Sequence, residues 1–126
     1  MEQAVARRID AVRPNLGAFD DESGVLAEIV RRLVAALDPA MIWLFGSRAR
    51  QDARPDSDFD ILVVARDGAG DGADDYDMVY APLKGLAVGV DVVPCDRETY
   101  LASLELRTSF VRRVVDEGRL LYEARS

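Results

Sequence analysis

The feature of this sequence that most constrains its fold is the stretch of residues 41–64, where an apolar run, a Gly-Ser pair and a second apolar run with two aspartates follow one another. The apolar run Met41–Phe45 predicts a buried strand, and Gly46 ends it because glycine tolerates backbone angles that other residues avoid. Ser47 can begin a helix, and residues 48–51 are good helix formers. Free backbone N–H groups at the start of a helix can bind an anion, so this turn is a candidate phosphate site.

Two aspartates lie on one face of the second predicted strand. Successive side chains of a strand alternate between its faces, so Asp58 and Asp60 point the same way, roughly 6.6 Å apart along the strand. Phe59, Ile61 and Val63 point the other way. Two neighbouring carboxylates repel each other unless a cation lies between them, and carboxylate oxygens are ligands that Mg²⁺ prefers. The pattern therefore predicts a Mg²⁺ site beside the Gly-Ser turn.

Together these residues resemble the signature of a known family. The Gly-Ser pair, ten intervening residues and the Asp-Phe-Asp triplet at residues 58–60 resemble the motif of the DNA polymerase β-like nucleotidyltransferase superfamily. The short chain is similar to the minimal nucleotidyltransferases (MNT proteins) of that superfamily, over roughly residues 25–122. The family's third carboxylate lies on a later strand, where Asp91 fits. Many relatives carry glycine where this chain has Gln51, a departure that concerns the shape of the local loop and not the carboxylates.

The resemblance also implies a fold. We expect an α/β (α+β) fold, with a small mixed β-sheet and helices packed mainly on one face, as in polymerase β-like nucleotidyltransferases. We expect a single nucleotidyltransferase domain over residues 1–126, with an N-terminal helix and linker in residues 1–24 and the core in residues 25–122. A length of 126 residues and a hydrophobic content of 49% suit one domain with one core.

The resemblance assigns two groups of site residues. The catalytic carboxylates, which would also bind two Mg²⁺ ions, are Asp58, Asp60 and Asp91. The nucleotide-binding residues, which would hold the phosphates of ATP, are Gly46, Ser47, Arg48 and Arg50. Of these, Gly46 and Ser47 would contact the phosphates, and Arg48 or Arg50 would neutralise the leaving pyrophosphate. Asp91 would also accept the proton of the attacking hydroxyl.

The function implied by the resemblance is Mg²⁺-dependent transfer of AMP from ATP to a hydroxyl group of a protein. More specifically, it suggests the antitoxin of a HEPN–MNT toxin–antitoxin pair, which modifies a tyrosine of its partner, the HEPN toxin. Two alternatives stay open: a non-catalytic antitoxin or binding module, and a small-molecule nucleotidyltransferase of the antibiotic-modifying type. The three intact aspartates favour an enzyme, and antibiotic-modifying relatives usually need a further domain to cover the drug.

Composition excludes several other classes of protein. The chain has one cysteine, Cys95, and no histidine, which excludes an internal disulfide, a cysteine-rich zinc site and histidine catalysis. No apolar stretch approaches the roughly 20 residues that a membrane span needs. Residues 1–10 also lack the apolar core of a signal peptide. We therefore expect no membrane partner and a cytoplasmic location.

The net charge of −7 bears on the choice of substrate. A strongly acidic domain repels a polyanion unless it carries a local basic patch. The basic residues near the predicted site are few, namely Arg48, Arg50 and Arg54. They suit a nucleoside triphosphate better than a long nucleic acid, so we do not expect a polymerase or an RNA-tailing enzyme.

The rest of the chain supplies helices and two further strands. Apolar spacing and turn residues predict helices at residues 2–12, 25–37, 75–87, 97–104 and 109–117, and strands at residues 88–93 and 119–123. We expect Met78 to face inward from the third of these helices, and Pro82 to kink that helix or mark its start. Asp96 is expected to cap the fourth helix. The glycine- and aspartate-rich residues 66–77 are typical of a solvated loop.

Overall fold

A computed structural model describes residues 13–67 and 75–125 of the chain. The helix predicted for residues 2–12 and most of the loop predicted for residues 66–77 lie outside the described residues. The elements, in chain order, are α1 (Glu22–Leu37), β1 (Met41–Phe45), α2 (Gly46–Arg50), β2 (Phe59–Val64), α3 (Tyr76–Tyr80) with a 3₁₀ turn (Ala81–Leu83), β3 (Val90–Cys95), α4 (Arg97–Leu104), α5 (Phe110–Glu117) and β4 (Arg119–Glu123).

The four strands form one mixed sheet in the order β3-β2-β1-β4. Strand β1 pairs antiparallel with both β2 and β4, whereas β2 pairs parallel with β3. The strand predicted for residues 119–123 is confirmed as β4, and it lies at one edge of the sheet. Because β2 and β3 run parallel, their first residues lie at the same end of the sheet.

Helices cover both faces of this sheet. On one face, α1 and α3 enclose the larger core cluster, whose buried members are Val25, Leu26, Ile29, Leu33, Ile42, Leu44, Phe59, Ile61, Val63, Val79, Leu86 and Val92. On the other face, α4 and α5 enclose a smaller cluster, whose buried members are Met41, Leu62, Val64, Cys95, Tyr100, Val111 and Val114. Side-chain alternation along the strands divides the apolar residues between the two faces. The predicted mixed-sheet fold is confirmed, and the helices are shared between its faces instead of lying mainly on one.

Helix α1 builds much of the larger core from its apolar side. The Asp21 carboxylate caps its first turn by accepting a hydrogen bond from the Gly24 N–H at 2.9 Å. At its other end Asp38 adopts a left-handed conformation, and Pro39 prevents the helix from continuing. Among residues 13–67 and 75–125, no helix combines the length and the apolar character that crossing a membrane requires.

The segment between β2 and β3 differs most from the sequence-based expectation. The single helix predicted for residues 75–87 is a five-residue α-helix followed by a 3₁₀ turn. Pro82 explains the break, because proline lacks an N–H group and clashes with the preceding helical turn. The inward position predicted for Met78 is wrong, since that side chain is 49% exposed. Strand β3 also begins two residues later than predicted, at Val90.

The two C-terminal helices follow the sequence prediction closely. Asp96 caps α4 and accepts a hydrogen bond from the Thr99 N–H at 2.7 Å. Ser109 caps α5 in the same way, through the Arg112 N–H at 3.0 Å. Cys95, at the end of β3, is buried, and burial raises the pKa of its thiol to about 11. The thiol is therefore protonated at neutral pH and packs as a small apolar group.

Candidate active site

Three paired positions line up across strands β1, β2 and β3. Phe45 pairs with Asp60, and Asp60 pairs with Asp91. Side chains at directly paired positions leave the sheet on the same face. Asp60 and Asp91 are therefore neighbours on the face that carries the smaller core, where Asp60 is half-buried and Asp91 is exposed. The structure thus brings together two of the three carboxylates singled out from the sequence.

The third carboxylate, Asp58, immediately precedes β2 and lies beside the start of β3. A Cβ atom at Gly89 would collide with the Asp58 carboxylate, so the absent side chain of Gly89 is what makes room for it. The neighbouring residue, Phe59, donates its N–H to the Gly89 carbonyl at 3.0 Å. Asp58 is thereby placed two residues before Asp91 along the adjacent strand, on the same side of the sheet. The role of Gly89 was not predicted from the sequence.

Gly46, at the predicted phosphate turn, lies directly against Asp60. It has a φ of +74°, a left-handed conformation that favours glycine. A Cβ atom at this position would collide with the Asp60 carboxylate. The space above Gly46 is therefore filled by a carboxylate of this chain. The phosphate contact predicted for this turn stays a prediction. The glycine therefore brings the turn against Asp60, one of the three carboxylates of Asp58, Asp60 and Asp91, which we call the acidic row.

Within the acidic row, burial and the repulsion between the carboxylates affect the pKa of Asp60. Burial raises the pKa of this carboxyl, and the charges of Asp91 and Asp58 raise it further, while the Arg50 guanidinium opposes them. A carboxylate that is half-buried among like charges favours any bound cation, because the cation relieves both the repulsion and the loss of solvation. The site is therefore poised to attract positive charge.

The donor set fits Mg²⁺. All three side chains offer carboxylate oxygens, and two of the three are exposed to solvent. Among the described residues, no three acidic, histidine or cysteine side chains are already gathered closely enough to hold a metal by themselves. Mg²⁺ usually binds one or two carboxylates and completes its octahedron with water and substrate phosphates, so it does not require all three side chains to converge on one ion.

Arg48, predicted to contact the nucleotide, is buried and bonded to the protein. Its guanidinium lies 4.3 Å from the centre of the Phe59 ring and pairs with Glu22 at 3.2 Å. It also donates to the carbonyls of Pro55 at 2.9 Å and Ser57 at 2.8 Å. These contacts favour a structural role in which Arg48 holds the loop that leads into Asp58. A nucleotide contact from Arg48 stays a prediction, and Arg50 is better placed for one.

Arg50 and Ser47 occupy the short helix α2 beside Asp60. Arg50 is exposed and pairs with Asp52 at 3.2 Å, and its charge acts on Asp60. Helix α2 begins at Gly46, so Phe45 holds the cap position and makes no side-chain capping bond. Gln51 ends the helix with a φ of +65°, a left-handed conformation that glycine adopts without strain. The predicted phosphate contacts of Gly46 and Ser47 remain predictions.

Asn15, expected from the sequence to lie in a linker, is a supporting residue of the site. Its side-chain amide donates to the carbonyls of Ser57 at 3.0 Å and Gly89 at 2.9 Å, and its Oδ1 accepts from the Gly89 N–H at 2.7 Å. Its backbone N–H donates to the Pro55 carbonyl at 2.8 Å. Asn15 thus ties the loop before Asp58 to the start of β3. No local pattern signals this role, because the partners are 42 and 74 residues away.

Tyr80 is a third residue missed from the sequence, and it contacts the site directly. Its hydroxyl donates to Asp91 Oδ1 at 3.1 Å and accepts from the Val92 N–H at 2.8 Å. Burial raises the pKa of Tyr80, and the neighbouring Asp91 raises it further, against the Val92 bond that lowers it. The phenol therefore stays protonated at neutral pH and donates its hydrogen bond to the Asp91 carboxylate.

An aromatic pair borders the acidic row on the side of β1. Phe45 and Phe110 pack edge to face, with ring centres 5.0 Å apart and planes at 85°. Phe110 begins α5 and is 44% exposed. Phe45 is paired with Asp60 on the neighbouring strand, so only Phe45 separates the exposed ring of Phe110 from Asp60.

The sequence is similar to a nucleotidyltransferase family and to one of its curated relatives. Residues 25–121 match the family described as nucleotidyltransferase domain. A protein of Methanocaldococcus jannaschii, named as a candidate protein adenylyltransferase, is 38% identical over 81 residues. That match covers 64% of this chain and 76% of the relative.

Three solved structures share the fold. One is the crystal structure of a candidate nucleotidyltransferase from Sulfolobus solfataricus, with 27% identity, a TM-score of 0.53 and coverage of 78% of each chain. The second is a toxin–antitoxin structure with AMP-PNP, with 23% identity, a TM-score of 0.54 and coverage of 79% of this chain and 74% of that chain. The third is a mutant of the toxin–antitoxin MntA–HpeT, with 21% identity, a TM-score of 0.53 and the same coverage.

Proposed function

The chain belongs to the nucleotidyltransferase domain family, among its minimal nucleotidyltransferases, and from this premise we propose that it transfers AMP from ATP to a hydroxyl group of a partner toxin protein. The observation that carries the proposal is the contact between Gly46 and Asp60, on the strand paired with Asp91. It joins the turn expected to hold phosphate to the carboxylates expected to hold metal.

Each part of the site has a role in this proposal. Asp58, Asp60 and Asp91 would be the side chains that hold two Mg²⁺ ions. Bound there, Mg²⁺ supplies positive charge that stabilises the attacking and leaving oxygens of an in-line displacement. Gly46 and Ser47 would hold the β- and γ-phosphates through backbone N–H groups and the serine hydroxyl.

The transfer step exchanges one phosphorus–oxygen bond for another. The acceptor hydroxyl oxygen forms a bond to the α-phosphorus of ATP, and the bond from that phosphorus to the β-phosphate oxygen breaks. Pyrophosphate leaves with its bonding electrons, and the exposed Arg50, whose charge acts on Asp60, is a candidate to offset its charge. The hydroxyl proton passes to the Asp91 carboxylate, which is exposed and therefore accessible to an acceptor.

Three observations support a protein as the acceptor. The relative from M. jannaschii is named for protein adenylylation, and two structures with the same fold are toxin–antitoxin proteins. Asp58 and Asp91 are exposed, so a side chain of another folded protein can reach them. The exposed Phe110 ring beside the row offers an apolar contact, and the charge of −7 suits a basic partner surface.

The acceptor that we propose is a tyrosine of a HEPN-type toxin. A sharp test is co-expression of this chain with the protein encoded in the neighbouring reading frame, followed by intact-mass spectrometry of that protein. In a second assay, the purified pair is incubated with Mg²⁺ and ATP labelled either at the α- or at the γ-phosphate. We expect label from the α-position alone, which distinguishes AMP transfer from phosphorylation.

Two variants complete the experiment. Asp60→Asn removes a site carboxylate and is expected to abolish labelling, whereas Asp56→Asn removes an exposed acidic residue of the preceding loop and is expected to label normally. A neighbour that is unmodified but still bound and silenced by the Asp60→Asn variant would favour the binding-module alternative. Labelling of a small-molecule drug, and not of the toxin, would favour an antibiotic-modifying enzyme.

A further inference from the structure

Strand β3 lies at one edge of the sheet, so it pairs with a neighbouring strand on one side only. The carbonyls of Gly89 and Cys95 accept hydrogen bonds from Phe59 and Ala65, at 3.0 and 2.9 Å, on the side of β2. Backbone groups alternate in direction along a strand, so those of residues 90, 92 and 94 point away from the sheet. Residue 94 is a proline and has no N–H to leave unpaired.

The outward N–H of Val92 is not left to solvent, because the Tyr80 hydroxyl accepts it at 2.8 Å. The same hydroxyl donates to Asp91 Oδ1 at 3.1 Å. The direction of both bonds is fixed, since a backbone N–H can only donate and an ionised carboxylate can only accept. One phenolic oxygen therefore links the backbone of the strand to the carboxylate of the preceding residue.

We propose that Tyr80 is a positioning residue, which holds the Asp91 carboxylate in place for cation binding. Asp91 is exposed and lies opposite a like-charged partner, Asp60, so repulsion favours rotation of its side chain into solvent. The bond from Tyr80 opposes that rotation and engages Oδ1, leaving Oδ2 for a cation. The inference rests on the proposed function, in which Asp91 is the third carboxylate.

The local structure is suited to this role. Tyr80 is the last residue of α3, and the break at Pro82 turns the chain into a 3₁₀ turn immediately afterwards. The tyrosine ring also lines a groove of about 460 Å³ whose other lining residues are Asp77, Ala81, Leu83, Lys84, Val88 and Val90. A Tyr80→Phe substitution keeps the ring that walls this groove and removes only the hydroxyl.

The test compares Tyr80→Phe with Tyr76→Phe, which removes the hydroxyl of a more exposed tyrosine on the same helix. Binding of Mn²⁺, used as a spectroscopic probe for Mg²⁺, is measured by electron paramagnetic resonance. The dependence of AMP transfer on free Mg²⁺ is measured in parallel at saturating ATP. We expect Tyr80→Phe to weaken both by about 10–100-fold, the usual effect of losing a group that orients a metal ligand. Tyr76→Phe should match the unsubstituted protein.

A coupled substitution separates positioning from general structural support. In an Asp91→Asn background, Tyr80→Phe should cause no further loss of Mn²⁺ binding, because the carboxylate through which it acts is gone. Unchanged Mn²⁺ affinity in Tyr80→Phe alone would overturn the inference and leave the proposed function intact. If the unsubstituted protein bound no Mn²⁺ either alone or with ATP, the proposed function would fail, and the role of Tyr80 with it.

Discussion

Asp60 and Asp91 occupy paired positions on the parallel strands β2 and β3, so two carboxylates leave the sheet side by side on one face. The half-buried Asp60 has a raised pKa, caused by burial first and then by the charges of Asp91 and Asp58. The protein therefore maintains a repulsive arrangement that a bound cation would relieve.

Asp60→Asn is expected to abolish AMP transfer and to raise the melting temperature of the metal-free protein at pH 7. Because the folded-state pKa of Asp60 lies above its ordinary value of 3.8, this group lowers stability as the pH rises from below 3.8 through the folded-state pKa. The gain from Asn should therefore be present at neutral pH and vanish toward pH 3. Thermal melts of both proteins across this range test the prediction, and a less stable variant at pH 7 would contradict it.

Mg²⁺ together with ATP should raise the melting temperature of the unsubstituted protein, because a ligand that binds the folded state stabilises it. Protons compete with the cation for Asp60, and its raised pKa makes this competition begin at a higher pH than for an ordinary aspartate. The shift should therefore shrink as the pH falls toward the pKa of Asp60. Melts with Mg²⁺ and ATP at several pH values provide the measurement, and a shift of constant size down to pH 4 would argue against a carboxylate site.

Gly46→Ala should cost stability and abolish transfer, whereas Gly85→Ala should cost stability alone. Both glycines have a positive φ, +74° and +81°, so an added Cβ destabilises each backbone by about 1–2 kcal/mol. Only at Gly46 would the Cβ also collide with Asp60, since nothing lies within 4 Å of a Cβ at Gly85. Urea denaturation and AMP-transfer assays on both variants separate the two effects. Equal activity in the two variants would show that the approach of Asp60 to the turn is dispensable.

Arg48→Ala should mainly lower stability, whereas Arg50→Ala should mainly weaken nucleotide binding. Arg48 is buried and bonded to Pro55, Ser57 and Glu22, so its loss should cost about 2–3 kcal/mol of unfolding free energy. Arg50 is exposed, so its loss should change stability by less than about 0.5 kcal/mol while weakening binding of an ATP analogue. Urea denaturation and calorimetric titration would measure both quantities, and stronger destabilisation by Arg50→Ala would refute the assignment.

Gln51→Gly should stabilise the protein by about 1 kcal/mol, because Gln51 holds a left-handed φ of +65° that glycine adopts without strain. The matched variant, Gln51→Ala, keeps the strain and should not stabilise. Chemical denaturation of both variants decides the matter. Transfer activity should be retained in each, since the Gln51 side chain is exposed.

Much of the architecture was determined by the sequence itself. The bounds of β1, α4 and β4 were predicted from apolar runs and their end signals, and the Asp96 cap followed from a single residue type. The grouping of Asp58 and Asp60 followed from the alternation of side chains along a strand. These features are local, so the residues that encode them are neighbours in the chain.

Only the tertiary structure decided which distant groups meet at the site. Asn15 reaches Gly89 across 74 residues, and Tyr80 reaches Asp91 through the pairing of a helix end with a strand edge. The burial of Arg48 likewise depends on Phe59 and Glu22, which no local spacing could assign to it. Hydrogen bonds and charge interactions depend on distance in space, and that distance is set by packing of the whole chain. The sequence by itself determined the carboxylates, and the fold determined what holds them in place.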